Sequence, residues 1–155
     1  MTLNAFLWKL SQMLSGIYFI LRFLKSKAGK QYGITAFQKI DLLLKIRINQ
    51  RAIKSFTTWQ QQLLLVQEVF SVPRSLKGDV IECGCYNGAS TAILSLACAL
   101  TKRRLYVCDS FEGFPEPAPE EKYEIHGHSE DYYIWERGEF SSEGGLKQVK
   151  RNIER

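Results

Sequence analysis

Apolar residues recur at helical spacing throughout the first half of the chain. In the first 24 residues they alternate at intervals of four and three, at Leu3, Leu7, Leu10, Leu14, Ile17, Leu21 and Leu24. A second stretch, from about Ala36 to Lys54, has apolar positions at Phe37, Ile40, Leu43, Leu44 and Ile48. A third follows cap candidates at Ser55 to Thr57 and precedes Pro73, with apolar positions at Trp59, Leu63, Val66 and Phe70. These intervals are the period of an amphipathic helix, so we predict three helices.

The periodicity changes after Gly78. Two short β-prone runs, 79–83 and 105–108, enclose a glycine-bearing loop, Gly84 to Gly88, and a nearly uncharged helical run from Ser90, its candidate cap, to Leu100. Strand, loop, helix and strand form a βαβ unit. Such units have right-handed crossovers, and their parallel strands are buried on both faces. We therefore predict an α/β fold with a parallel sheet after the helical region.

Residues beyond the second strand show weaker patterns. Residues 109–124 form a loop rich in Pro, Gly and Glu, and residues 131–135 fit either a strand or a short helix. Leu146, Val149 and Ile153 lie at helical spacing, which predicts a final helix capped by Ser141 or Ser142. His126 and His128 are candidates for a general base, although we favour an exposed polar lid for the segment that carries them.

Charge divides the chain at the same place as the periodicity. Residues 1–78 carry 12 basic and 2 acidic side chains, whereas residues 79–155 carry 9 basic and 14 acidic ones. The basic residues are dispersed along the helices rather than clustered with exposed aromatics, which disfavours nucleic acid as a partner. We divide the chain into an amphipathic N-terminal helix (1–30), a helical cap region (31–77) and an α/β region (78–155).

The first helix has several open interpretations. Its longest charge-free run, Leu10 to Leu21, is 12 residues, shorter than the ~20 that span a bilayer. Its basic residues mostly follow the apolar stretch, unlike those of a signal peptide. It is then a packing helix for its own domain or for a partner subunit, for example in a homo-oligomer, an interfacial membrane helix, or an inefficient signal anchor.

The cysteines indicate a reducing compartment. None of the four forms a C-x-x-C pair, and all lie in or beside apolar runs, at Cys83, Cys85, Cys98 and Cys108. We interpret them as structural thiols. The predicted location is cytoplasmic, with peripheral membrane association as the alternative.

The loop 84–88 and Asp109 carry the clearest chemical signal. In a βαβ unit, ligands bind beyond the carboxyl ends of the strands, and an acid after the second strand can grip a ribose diol. The loop lacks the lysine of a phosphate-binding P-loop, and Tyr86 stands where a dinucleotide site prefers glycine. Glu82, just before the loop, suits a cationic ligand. S-adenosylmethionine has an ammonium group, a sulfonium, a ribose diol and no phosphate.

These segments resemble the macrocin (TylF-type) O-methyltransferase family. The resemblance rests on two strings together, Gly78-Asp79-Val80-Ile81-Glu82-Cys83-Gly84 and Asp109-Ser110-Phe111-Glu112-Gly113-Phe114-Pro115. It covers residues 76–117 closely and extends more loosely through the final helix. It implies a class I, Rossmann-like methyltransferase fold, S-adenosylmethionine as cofactor, and methyl transfer to a hydroxyl of a sugar or another small natural product.

The resemblance also implies a cofactor site. The residues it assigns to cofactor binding are Glu82, Gly84, Cys85, Tyr86, Gly88, Ser90, Asp109, Ser110 and Phe111. Family members also bind magnesium, through acids on strands later than those seen here. We therefore expect no metal ligands in this chain, and an N-terminal part of the methyltransferase fold with an unknown catalytic base. The alternatives are a non-catalytic remnant or membrane-associated helical module and, third, a nicotinamide-dependent reductase.

Overall fold

Helices make up most of the described chain. The computed structural model describes residues 3–113 and 145–154. In chain order its elements are α1 (Leu3–Lys25), a 3-10 turn (Lys30–Tyr32), α2 (Ala36–Ala52), α3 (Trp59–Ser71), β1 (Val80–Cys83), α4 (Ala89–Thr101), β2 (Leu105–Cys108) and α5 (Gly145–Ile153). The predicted segment 131–135, both histidines and the caps Ser141 and Ser142 lie outside the described residues.

The predicted βαβ unit is confirmed. Strands β1 and β2 pair in parallel, with Val80 opposite Leu105 and Cys83 opposite Cys108. The prediction that both faces of the strands are buried is wrong for the described part of the chain, because Ile81 and Tyr106 are exposed on one face. The described residues pack helices against the other face only. They show one βαβ unit with two strands, which is compatible with an α/β methyltransferase fold.

Helices α2 and α3 each begin at a capping box. Thr35 accepts a hydrogen bond from the Gln38 N–H at 3.3 Å, and Thr58 accepts one from the Gln61 N–H at 3.3 Å, while each glutamine side chain reaches back to its cap. The predicted cap at 55–57 is therefore wrong by one residue. A threonine followed three residues later by glutamine satisfies two otherwise unpaired N–H groups, which fixes the start at Thr58.

One hydrophobic core joins the helical half to the βαβ unit. Its buried members come from α1, α2, α3 and α4, and they are Phe23, Leu42, Ile46, Leu63, Val66, Val69, Phe70, Ile93, Leu94, Ala97 and Cys98. The segments that we separated at residues 30 and 77 share this core. Helix α4 has little charge because it packs in the middle of this arrangement, with seven buried positions along its length.

Most members of the apolar stripes expected on α1 and α2 face outward, whereas Leu24 and Leu43 pack against the core. On α1 the packed positions are Gly16, Phe19 and Phe23, on the side opposite the leucine stripe. On α2 the packed positions are Lys39, Leu42, Ile46 and Asn49, while Phe37 is 84% exposed. Both helices are apolar on two sides, so their periodicity did not reveal which side packs.

Arg103 fastens the helical half to the amino end of the sheet. Its guanidinium donates to the carbonyl oxygens of Pro73, Leu76 and Gly78 and to the Tyr32 hydroxyl, at 2.6–3.1 Å. It borders a cleft of about 320 Å³ at this end of the strands. The site predicted from the sequence lies at the opposite, carboxyl end.

Candidate functional site

The loops that follow β1 and β2 lie side by side. The strands are parallel and in register up to Cys83 and Cys108, so the loop 84–88 and the turn 109–113 leave the sheet at the same edge. The Gly84 N–H extends the ladder by donating to the Cys108 carbonyl at 2.8 Å. This carboxyl edge is where α/β folds bind their ligands.

Asp109 joins the two loops through backbone hydrogen bonds. Its Oδ2 accepts the N–H groups of Cys85 at 2.6 Å and Tyr86 at 3.2 Å, and its Oδ1 accepts the N–H of Phe111 at 2.7 Å. Two carboxylate oxygens offer about four acceptor positions; the three N–H groups take three of them, and the Cys85 thiol, a weak donor, interacts with the same carboxylate. Asp109 thus uses most of its acceptor positions to fix the conformation of the loop, and few are left for a ligand hydroxyl.

The pKa of Asp109 lies below its ordinary value. Partial burial by itself raises the pKa of this carboxyl, but the N–H groups of Phe111, Cys85 and Tyr86 stabilise the charged form more strongly. Asp109 is therefore an anion at neutral pH. A fixed negative charge at this edge attracts a cationic ligand.

Glu82 is held beneath the first turn of α4. Its two carboxylate oxygens accept the hydroxyl of Ser90 at 2.5 Å and the hydroxyl of Thr91 at 2.6 Å. The prediction that Ser90 caps α4 is therefore wrong. The N-cap is Gly88, which has no side chain, and Ser90 lies in the first turn, from where its hydroxyl reaches back to the strand end.

Cys85 lies between the two acids. It is buried, and its N–H is bound to Asp109. Burial, followed by the charges of Asp109 and Glu82, raises the pKa of its thiol to about 12. A thiol with this pKa is almost entirely protonated at neutral pH and is therefore a poor nucleophile.

Two aromatic residues of the site have left-handed backbone conformations. Tyr86 has φ 49° and Phe111 has φ 60°, a region that residues other than glycine rarely adopt. The hydrogen bonds to Asp109 hold both. The Tyr86 ring packs on Phe56 from the α2–α3 connection, with ring centroids 5.2 Å apart. The helical half thus contributes directly to the site.

The two glycines of the loop have different surroundings. Both have φ 82°, but a Cβ on Gly84 would meet no atom within 4 Å, whereas a Cβ on Gly88 would meet Val149 at 3.0 Å. The backbone at Gly84 therefore borders open space. Gly88 is buried under α5 and has a packing role.

The remaining predicted residue, Ser110, is exposed at the same edge. Its hydroxyl accepts the N–H of Glu112 at 3.3 Å, which closes a small turn beside Phe111. All nine residues predicted for the site therefore lie in the two adjoining loops, the end of β1 or the first turn of α4.

Sequence reasoning missed three polar residues that position the loop. Asn49 of α2 donates to the carbonyl of Ala89, the first residue of α4, at 2.7 Å, and Gln62 of α3 is fully buried beside it. Asn152 of α5 donates to the Asn87 carbonyl at 2.9 Å. Asn49 follows Leu42 and Ile46 at helical spacing, which is the signal that could have revealed it.

No metal site is visible in the described ranges. Among residues 3–113 and 145–154, no three His, Cys, Asp or Glu side chains lie close enough to hold an ion. His126 and His128, the candidates for a general base, lie outside these ranges.

Comparison with known proteins identifies the family. The model of the macrocin-O-methyltransferase family (TylF) matches residues 60–137, half of the chain, which contain all but the first residue of α3 together with β1, α4 and β2. Comparisons with curated proteins and with solved structures find no match. The matched range contains both loops of the site and both strings that carried the resemblance. The chain therefore belongs to the TylF family of macrocin-O-methyltransferases.

Proposed function

We propose that this chain binds S-adenosylmethionine at the carboxyl edge of β1 and β2 and acts in O-methylation of a sugar or another small natural product. The proposal rests on one observation: Asp109 accepts hydrogen bonds from three backbone N–H groups next to Gly84, which has free space beside its Cα. Family membership supports methyl transfer to oxygen. The acceptor and the activity of this chain belong to the proposal.

The chemistry of the edge suits this cofactor. Asp109 is anionic and can accept a ribose hydroxyl in place of the weak Cys85 thiol donor, and each Glu82 oxygen keeps a lone pair after binding Ser90 or Thr91. Two carboxylates favour a ligand with an ammonium and a sulfonium over one with phosphates. When bound, S-adenosylmethionine supplies a methyl group on positively charged sulfur, which an oxygen nucleophile can accept.

The proposed roles differ among the nine residues. Glu82, Gly84 and Asp109 contact the cofactor, and Ser110 and Phe111 lie beside its adenosine. Cys85, Tyr86, Gly88 and Ser90 act by shaping the loop, because their hydrogen bonds or packing are directed into the protein. A nicotinamide-dependent reductase is disfavoured by the family match and by the two acids, which would repel a pyrophosphate.

Calorimetry with S-adenosylhomocysteine, the product form of the cofactor, tests the binding site. We expect the 155-residue chain to bind it, and we expect Glu82→Gln to weaken binding about tenfold. This variant keeps partners for the Ser90 and Thr91 hydroxyls, since an amide accepts and donates, and removes only the charge. The matched control is Asp79→Asn at the amino end of β1, which should bind like the wild type.

Absence of binding by the wild-type chain would contradict the proposal, as would equal losses in the Glu82 and Asp79 variants. Methyl transfer is measured separately, as release of S-adenosylhomocysteine in the presence of hydroxylated sugars. Binding without transfer to any acceptor would support the cofactor site and favour the alternative of a non-catalytic remnant.

A further inference from the structure

We propose that the outward face of α1 rests on the surface of an anionic lipid membrane. The exposed apolar side chains of this face, called here the α1 outer face, are Leu7, Leu10, Met13, Leu14, Ile17, Tyr18 and Leu21. They extend over about four turns, or roughly 21 Å at 1.5 Å per residue. An apolar face of this length on a folded helix needs a partner.

The opposite side of α1 is anchored to the protein. Gly16 lies against the Trp59 ring, and Phe23 is fully buried and stacks on Phe70 with centroids 6.3 Å apart. Lys39 donates to the carbonyls of Phe23 and Ser26, which closes the carboxyl end of the helix. The helix is therefore already formed and oriented, so binding through its outer face needs little further ordering.

The charge within and next to α1 along the sequence is positive only. Residues 1–40 contain six basic residues and no acidic one. Four of the basic side chains are exposed just beyond the apolar face, and they are Arg22, Lys25, Lys27 and Lys30. None of the four makes an ion pair with a residue in the described ranges. An apolar helix face beside basic residues is the pattern of helices that lie in the interface of anionic bilayers.

A second copy of the chain is a poorer occupant for this face. A two-fold interface brings the same residues of both subunits together, and residues 1–40 of the partner would offer no carboxylate to these lysines. Anionic lipid head groups supply that charge. We propose that the helix lies along the membrane surface. Among the helices of residues 3–113 and 145–154, none has the length and hydrophobicity of a membrane span.

Vesicle flotation tests this proposal independently of the cofactor site. The full chain is expected to float with vesicles of phosphatidylcholine containing about one third phosphatidylserine, and at least tenfold less with phosphatidylcholine alone. Raising the salt to about 0.5 M should reduce binding strongly, because it shortens the screening length. Equal binding to both vesicle types, or none, would overturn the proposal.

Matched variants locate the surface. The pair Leu14→Ser and Ile17→Ser should lower binding at least tenfold, whereas Leu76→Ser, at a similarly exposed leucine far along the chain, should leave it unchanged. The exposed triple variant Lys25→Gln, Lys27→Gln and Lys30→Gln should abolish the preference for phosphatidylserine without altering the fold. Circular dichroism checks the helix content of each. Light scattering tests the alternative partner, a second copy of the chain. If the wild type were a dimer that did not bind vesicles, and the Leu14→Ser, Ile17→Ser variant were a monomer, the face would belong to a dimer interface and the membrane proposal would be overturned.

Discussion

Asp109 shows how much one side chain determines at the residue scale. Three N–H groups from two loops converge on it, and they hold Tyr86 and Phe111 in left-handed conformations that aromatic residues otherwise avoid. The site is therefore organised by the residue that is also proposed to bind the ribose. Substitutions here are expected to change the shape of the loop and ligand affinity together.

The charge of Asp109 should stabilise the fold. We expect Asp109→Asn to lower the free energy of unfolding by about 2 kcal/mol at pH 7, because the amide offers fewer acceptor positions and loses charge-assisted hydrogen bonds. The native pKa lies below that of the unfolded chain, about 3.9, so this stabilisation is complete above that pH and is lost as the pH falls through the native pKa.

Urea denaturation at neutral pH and at about pH 3.5 measures the free energy of unfolding of the wild type and of Asp109→Asn. The difference between these two free energies should be smaller at the lower pH. Asp41→Asn is the control, because Asp41 forms an exposed i,i+4 pair with Lys45 at 2.8 Å and such pairs contribute little. A gap that stays constant with pH would contradict the expected role of the charge.

The four cysteines should differ in reactivity. Cys83 and Cys108 are exposed, whereas Cys85 and Cys98 are buried and have raised pKa values, about 12 for Cys85. Titration of the native chain with a disulfide reagent near pH 8 is expected to modify two thiols rapidly. Denaturant should expose the other two.

Single replacements identify the fast thiols. Cys83→Ser should reduce the rapid phase to one thiol, and Cys85→Ser should leave it at two. A rapid phase that is lost in Cys85→Ser would contradict the burial and raised pKa of that residue.

Element contacts explain why glycine occupies position 88. Helix α5 packs its Val149 against the Gly88 Cα, and Asn152 beside it holds the Asn87 carbonyl. The glycine therefore brings the loop and α5 into direct contact. The sequence, in contrast, predicts this glycine as a cofactor-binding residue.

Two alanine substitutions separate backbone strain from packing. Gly33→Ala and Gly88→Ala both place alanine at positive φ, 75° and 82°, which costs about 1–2 kcal/mol. Only Gly88 has a neighbour at 3.0 Å, and a Cβ at Gly33 would meet none within 4 Å. We expect Gly88→Ala to lower the free energy of unfolding by a further 1–3 kcal/mol, roughly the cost of overpacking.

Thermal and urea denaturation of both variants provide the comparison. Equal losses at the two positions would show that α5 does not press on the loop. A larger loss for Gly88→Ala than for Gly33→Ala would support the contact with Val149.

At the scale of the whole molecule, the helical half and the βαβ unit are one structure. They share a core, and Arg103 binds three carbonyls of the connecting segment 73–78 together with the Tyr32 hydroxyl. The buried pair Asn49 and Gln62 places the start of α4 against α2 and α3. The helical half therefore positions the proposed cofactor loop through the start of α4, which directly follows that loop.

Replacing Arg103 should loosen this connection. Lysine has no planar fork to reach several carbonyls at once, so we expect Arg103→Lys to lower the free energy of unfolding by about 2–3 kcal/mol. The control is Arg104→Lys at the neighbouring position, where the side chain is 80% exposed. We expect this variant to lower the free energy of unfolding by less than roughly 0.5 kcal/mol. Urea denaturation of the two variants measures both, and equal losses would contradict the special role of Arg103.

The sequence by itself determined the local helices and strands and the edge of the sheet at which the candidate site residues lie. Helix periods, the strand–loop–helix–strand order and the acid after β2 are encoded by neighbours in the chain, so the βαβ unit and the grouping of the nine candidate residues could be predicted. The TylF strings needed no tertiary information either, because they lie within two short segments.

The tertiary structure alone decided which helix faces pack and how the site is supported. Most of the predicted apolar stripes of α1 and α2 point outward, because Gly16 allows the Trp59 ring to approach on the other side and Lys39 and Asn49 find their carbonyl partners there. Periodicity is a property of one helix, whereas packing depends on the shapes and unpaired polar groups of its neighbours. For the same reason only the folded chain shows that Gly88 packs under α5 and that Ser90 binds Glu82.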